Sequence, residues 1–269
     1  MGLIHEIRRL REEMSGAAER RLVKGRGLYL NLLKLCLTNL IYGDANILHG
    51  AQQPYDPRLR VDGRDWPARA HTMIGFRRLE NLQFCVEDVL ARRVPGDLME
   101  TGVWRGGAVI LMRGILEAYG VTDRTVWAAD SFEGLPPPNP DKYPLDRGLN
   151  FEQFKDLAVS LEEVQDNFSR YDLLDEQVRF LKGWFRDTLP HAPVQRLAVL
   201  RLDGDLYEST LDALNPLYPK LEKGGYCIID DYQDIPACRQ AVDDYRSRHG
   251  IEDEILRVDW SAVYWKKTQ

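Results

Sequence analysis

The sequence predicts an α/β domain built on a mostly parallel sheet of seven strands, with a C-terminal antiparallel hairpin and a helical N-terminal extension. Three observations predict it. From about residue 96 onward, short apolar runs alternate with longer runs of helical period, the signature of strand–helix–strand units. Acidic residues recur at the C-terminal ends of those runs, where a parallel sheet of this kind places its ligands. The chain of 269 residues is 44% hydrophobic and 29% charged, which suits one large core and excludes a disordered chain.

In chain order, Glu6 to Arg21 is charged and alanine-bearing, as expected of a surface or arm helix. Leu28 to Tyr42 carries apolar residues spaced for one buried face. Gly43 to Pro67 is rich in Pro, Gly and Asp and reads as a loop or lid. Ile74 to Leu90 resumes the helical period. Residues 1–90 therefore form a helical extension and lid within the same domain as the core, residues 91–269.

In that core Leu98 to Trp104 is a strand running into a glycine-containing turn, and Ala108 to Tyr119 a helix. Thr125 to Asp130 is the second strand, followed by a Pro-rich loop, Leu135 to Pro144. The next helix starts near Ser160, which with Glu163 has the spacing of a capping box. Val178 to Leu181 and Leu197 to Asp203 are strands, and Ser209 to Leu221 is a helix stopped by Gly224-Gly225. Tyr226 to Asp231 is the fifth parallel strand and Pro236 to His249 a helix. Ile255–Val258 and Ala262–Trp265 form the terminal hairpin.

Three constellations carry chemistry. Glu100-Thr101-Gly102-Val103-Trp104-Arg105-Gly106-Gly107 brings small residues to the mouth of the sheet, where a ligand approaches the backbone. It lacks the glycine spacing of a pyrophosphate loop, and Glu100 would repel a pyrophosphate, so the segment suits a ligand with a cationic part. A plain strand–helix turn is the alternative. Asp130-Ser131-Phe132 ends the second strand, where a carboxylate accepts both ribose hydroxyls or, alternatively, caps a helix. Asp203-Gly204-Asp205 and Asp230-Asp231 end successive strands, so their acids should converge. Such a set is costly without a cation, and an all-oxygen set suits Mg²⁺, Ca²⁺ or Mn²⁺. Solvated acids at loop ends are the alternative. Neighbours on a strand face opposite ways, so Asp230 and Asp231 reach one ion only if the chain leaves β geometry there.

Other features exclude function classes. A net charge of −6 argues against a nucleic-acid partner. The longest apolar runs are too short for a bilayer, and the N-terminal residues have no apolar signal core, so a cytoplasmic protein without a membrane partner is expected. Cys36, Cys85, Cys227 and Cys238 show no metal spacing and read as small buried thiols. The five histidines form no triad or metal pattern.

The chain resembles the macrocin O-methyltransferase family, which methylates sugars on antibiotics such as macrolides and aminocoumarins. The residues that carry the likeness run from Ala70-His71-Thr72-Met73-Ile74-Gly75 through Glu100 to Gly107, Val126 to Phe132, Gly183 to Thr188, and Arg201 to Tyr207, ending at Ile229 to Tyr232. The resemblance implies a Rossmann-like class I methyltransferase fold and Mg²⁺-dependent transfer of a methyl group from S-adenosylmethionine to a hydroxyl of a glycoside or sugar acceptor. It implies that Asp203, Asp230 and Asp231 bind Mg²⁺. It also implies that Thr72, Met73, Glu100, Thr101, Gly102, Val103, Trp104, Asp130, Ser131, Phe132, Gly183, Trp184, Phe185 and Asp203 surround the cofactor. Asp203 and Asp205 both stand where a family base acts, and the choice stays open. A homo-oligomer, dimer or tetramer, is expected. A catechol-type methyltransferase and a non-catalytic nucleotide-binding domain are the rival readings.

Overall fold

Strands β1 (Asp97–Thr101), β2 (Val126–Asp130), β3 (Val178–Lys182), β4 (Leu197–Leu202), β5 (Leu221–Ile229), β6 (Leu256–Arg257) and β7 (Val263–Lys266) form one sheet in a computed structural model that describes residues 21–47 and 51–269. The expected helix Glu6 to Arg21 lies outside the described residues, apart from its last position. The strand order is β3-β2-β1-β4-β5-β7-β6. Pairings among β1 to β5 are parallel, and β7 runs antiparallel to both β5 and β6. The predicted seven-stranded, mostly parallel sheet with a terminal hairpin is what the chain forms.

Strand order reverses between β1 and β4, the switch point at which open α/β sheets bind ligands. There the strands end level. Thr101 sits beside Ala129 of β2 and Leu202 of β4, and Leu202 beside Ile229 of β5. The next residues, Gly102, Asp130, Asp203 and Asp230, thus share one rim.

Alternation along the strands splits the core in two. Leu98, Val126, Ala128, Val199 and Ile228 face one layer with helices α3 (Gly75–Ala91) and α4 (Gly107–Tyr119). Met99, Ala129, Leu200, Cys227 and Ile229 face the other, against α7 (Tyr207–Leu217) and α8 (Pro236–His249). Helix α1, residues 21–37, adds Leu30, Leu33 and Leu37 to the first layer, while Leu22, Leu28 and Leu32 stay exposed. Helix α5 (Leu161–Arg170) starts where expected, with Ser160 Oγ accepting the Glu163 N–H at 3.2 Å. No helix among the described residues is long and apolar enough to cross a membrane.

Two local expectations need correction. The glycine pair Gly224-Gly225 does not stop a helix: α7 ends at Leu217, and β5 already begins at Leu221. The glycines lie inside β5 at a shift of register against β4, and a Cβ on Gly225 would come within 2.6 Å of the Ala198 carbonyl oxygen. Their small size permits a close strand approach, which sequence alone does not distinguish from a helix stop. The segment Gly43 to Pro67 is not loop throughout, since it contains helix α2 (Pro57–Asp62). Asp56 caps it by accepting the Arg58 N–H at 2.8 Å, Pro57 opens it, and Gly63 closes it in the left-handed region. Those three signals were present in the sequence. Fully buried Arg60 fastens this segment, donating to Asp65, Asp44 and the Thr38 carbonyl.

Candidate active site

The turn after β1 is shaped by close approach. Gly102 has φ +80°, and a Cβ there would lie 1.8 Å from the backbone oxygen of Asp203. The two switch-point loops therefore touch through backbone alone. Gly102→Ala is expected to abolish cofactor binding or soluble expression altogether, read by calorimetric titration with S-adenosylhomocysteine; wild-type affinity would refute this packing. Asp130 ties the same turn to β2: its two oxygens accept the Val103 and Phe132 N–H groups, each at 2.8 Å. Ser131 Oγ also lies 3.3 Å from Oδ1, so the capacity Asp130 keeps for a ligand hydroxyl is chiefly on the other oxygen. Burial raises its pKa and the backbone hydrogen bonds oppose the rise.

A buried cluster of charge forms the floor. Arg201 is the one cation within the apolar run of β4 and is 1% exposed. It donates to Glu100, to Asp230, and to Asp203 at 3.0 Å. Arg78, from α3, donates to the other oxygen of Asp230 and to Asp259 at 2.8 Å. Strand geometry ends at Ile229, and the two following acids then part company. Asp230 turns to the arginines, while Asp231 faces Asp203 and Asp205, whose ligand oxygens lie with its own within 4.8 Å of one another.

The floor holds more negative than positive charge. Burial pushes Glu100 up to about 8 despite its pairing with Arg201, and Asp203 up to about 6, with Asp230 adding to the rise. Burial and neighbouring carboxylates raise Asp205 and Asp231 further above the usual carboxylate range. Asp231 Oδ2 and Glu100 Oε2 are buried without a hydrogen-bond partner. Three converging carboxylates, one with an orphaned oxygen, fit a hard divalent cation.

Above the floor is a cavity of about 590 Å³. Of the residues expected around a cofactor, Thr72, Met73, Glu100, Gly102, Val103, Trp104, Asp130, Ser131, Trp184, Phe185 and Asp203 line it, and so do Asp205, Asp230 and Asp231. Three do not reach its wall. Thr101 is turned away by strand alternation and fully buried. Phe132 packs against Phe180 in the core, ring centroids 6.3 Å apart. Gly183 makes the turn between β3 and the short helix α6 (Phe185–Thr188) at φ +138°, its N–H donating to the Asp130 carbonyl at 2.9 Å. The cavity also has walls that the motifs did not reveal. Arg78 and Trp260 stand on one side, Glu208 and Asp212 of α7 on another, and Leu135 and Pro136 of the Pro-rich loop line it too, with Leu149, Phe151 and Leu157 of the segment that follows. An arginine inside an apolar strand was a readable sign of Arg201's role; nothing local marks Glu208 or Trp260. His71 offers no base: burial lowers it to about 4, and its Nδ1 lies 2.7 Å from the Tyr171 hydroxyl.

The family profile described as Macrocin-O-methyltransferase (TylF) matches residues 26–267. The chain belongs to the macrocin O-methyltransferase family. It is 59% identical over 247 residues, 90% of this chain and 94% of the relative, to 8-demethyl-8-(2,3-dimethoxy-alpha-L-rhamnosyl)-tetracenomycin-C 4'-O-methyltransferase of Streptomyces olivaceus. It is 57% identical, over the same shares, to demethyldecarbamoylnovobiocin O-methyltransferase of Streptomyces niveus. The solved structure of the O-methyltransferase NovP matches 91% of this chain and 100% of its own, with 56% identity and a TM-score of 0.87. A calicheamicin methyltransferase, CalS11, shares the fold at 22% identity and a TM-score of 0.58. The chain is thus an O-methyltransferase of the macrocin family with the class I methyltransferase fold.

Proposed function

We propose that this enzyme transfers the methyl group of S-adenosylmethionine to a hydroxyl of the sugar on a glycosylated natural product, with Mg²⁺ held at the cavity floor. The convergence of Asp203, Asp205 and Asp231 beneath the cavity carries the reading. Relatives that share more than half of this sequence bear the names of methyltransferases acting on glycosylated antibiotics, which supports the acceptor class.

In this reading the S–CH₃ bond breaks as the O–CH₃ bond forms, giving S-adenosylhomocysteine, a methyl ether and one proton. Asp203 and Asp231 would hold the ion. The ion, when bound, lowers the pKa of the reacting hydroxyl and fixes its orientation. Asp230, which the family resemblance adds to the ligands, has both oxygens on guanidinium groups here, so ligation requires one arginine to release it. Asp203 is also restrained by Arg201, whereas Asp205 has no cationic partner among the described residues and is the stronger base. Asp205 therefore takes the proton. Trp104, Trp184 and Phe185 shield the cofactor from water, and the lid and the Pro-rich loop enclose the acceptor. The exposed apolar residues of α1 suit a homo-oligomer.

The test is methyl transfer by chelator-treated protein on a panel of deoxysugar glycosides and catechols. Sugar methylation that needs Mg²⁺ is expected; full activity in excess chelator overturns the metal role, and methylation of catechols alone overturns the acceptor class. The floor also predicts a pH dependence. A carboxyl raised from 3.8 to about 6 on folding binds its proton more tightly in the folded state, so its cost to stability grows as pH rises through that window. Mg²⁺ offsets that cost and should raise the Tm more at about pH 7.5 than at about pH 5. An equal shift at both pH values, read by differential scanning calorimetry, refutes binding at these carboxylates.

A further inference from the structure

Glu208 lies in the first turn of α7, just beyond Asp205, lines the cavity and is 6% exposed, yet no hydrogen bond or ion pair engages its carboxylate among the described residues. Asp212, one turn on, lines the same wall and likewise has no cation within ion-pair distance. Like charges spaced four apart on a helix are unfavourable, and a carboxylate facing a cavity without protein donors takes its hydrogen bonds from whatever fills that cavity. Burial and Glu208 together push Asp212 up to about 6, against the more distant positive charges of Lys142 and Arg186.

The position of Glu208 is nonetheless firmly set. Fully buried Asp146, just after the Pro-rich loop, accepts the N–H of Tyr207 at 2.7 Å and that of Glu208 at 3.1 Å. That carboxylate caps α7 from 61 residues before Tyr207, and so holds its own segment and the first turn of the helix together. The backbone of Glu208 is fixed while its side chain faces the cavity unpartnered. This combination is expected where a ligand supplies the missing donors.

We propose that Glu208 and Asp212 accept hydrogen bonds from hydroxyls of the acceptor sugar adjacent to the one that is methylated, and so select the acceptor. The inference rests on the sugar reading above. A carboxylate is an acceptor only, so it recognises donors, and two carboxylates one helical turn apart can each receive one of a neighbouring pair of hydroxyls. A site built to bond a hydroxyl rejects the analogue that lacks it, because its own buried group is then left unpaired.

The test uses the Mg²⁺-loaded enzyme with methyl α-rhamnoside-type glycosides, their monodeoxy analogues and one amino-sugar analogue. Wild type is expected to lose about tenfold or more in kcat/KM when the recognised hydroxyl is removed. Glu208→Gln should shrink that discrimination to about twofold, chiefly through a higher KM for the full sugar, with S-adenosylhomocysteine affinity unchanged. Asp212→Asn gives the same reading should Glu208→Gln fold poorly. Discrimination that survives both substitutions overturns the proposal while leaving sugar methylation intact. Preference for the amino sugar overturns the hydroxyl assignment. A wild type that methylates no sugar overturns the acceptor class, and this subsite with it.

Discussion

Asp203→Asn protein is expected to bind S-adenosylhomocysteine as the parent does and to transfer methyl groups at least ~10³-fold more slowly. The substitution preserves size and removes one charge from the cavity floor. The backbone oxygen of Asp203, which packs against Gly102, is untouched, and the Asp130 carboxylate and the turn after β1 keep their hydrogen bonds. What is lost is the charge of one of the carboxylates facing Asp205 and Asp231, and with it the charge assistance of the hydrogen bond from Arg201. Calorimetric titration with the product cofactor separates these effects from misfolding. Transfer within about tenfold of the parent would remove Asp203 from the reaction.

Arg201→Leu is expected to destabilise the fold by about 3–5 kcal/mol, because it leaves Glu100, Asp203 and Asp230 without their shared cation inside the sheet. Glu100 and Asp230 are 2% and 4% exposed, so water cannot replace the guanidinium. The sign of the pH effect follows. With the arginine gone the acids are neutralised more readily by protonation, so part of the loss should return at about pH 5. Arg201→Lys should be milder but still costly, since one ammonium cannot bond three carboxylates in a planar fork. Urea unfolding measures both variants. A leucine variant within about 1 kcal/mol of the parent would mean that the cluster contributes little net stability.

How much of this molecule was legible in advance depended on how local each feature is. Strands and helices of the core were readable because hydrophobic period and turn residues are local properties. The end of β4 at Leu202 and of β5 at Ile229 therefore put Asp203 and Asp230-Asp231 on the same rim, before any packing was known. Helix α2 was also legible, from Asp56, Pro57 and Gly63, although the Pro- and Gly-rich composition around it pointed to a loop. The glycine pair in β5 was not. Close strand approach and helix termination favour the same residue, and only the partner strand distinguishes them.

The sequence by itself determined the α/β order, the ligand-bearing edge of the sheet and the excess of carboxylates along it. Tertiary structure alone decided what each carboxylate faces. Arg78 meets Asp230 across 152 residues, and Arg201 meets Glu100 across 101, so Asp230 and Glu100 are held by guanidinium groups, while Asp203 is shared between Arg201 and the carboxylates of Asp205 and Asp231 that it faces. It also decided which residues of an apparently uniform motif reach the cavity, since Thr101 turns inward beside Glu100 and Gly102. The physical reason is that charge pairing and burial depend on neighbours brought together by folding, and spacing along the chain carries no record of them.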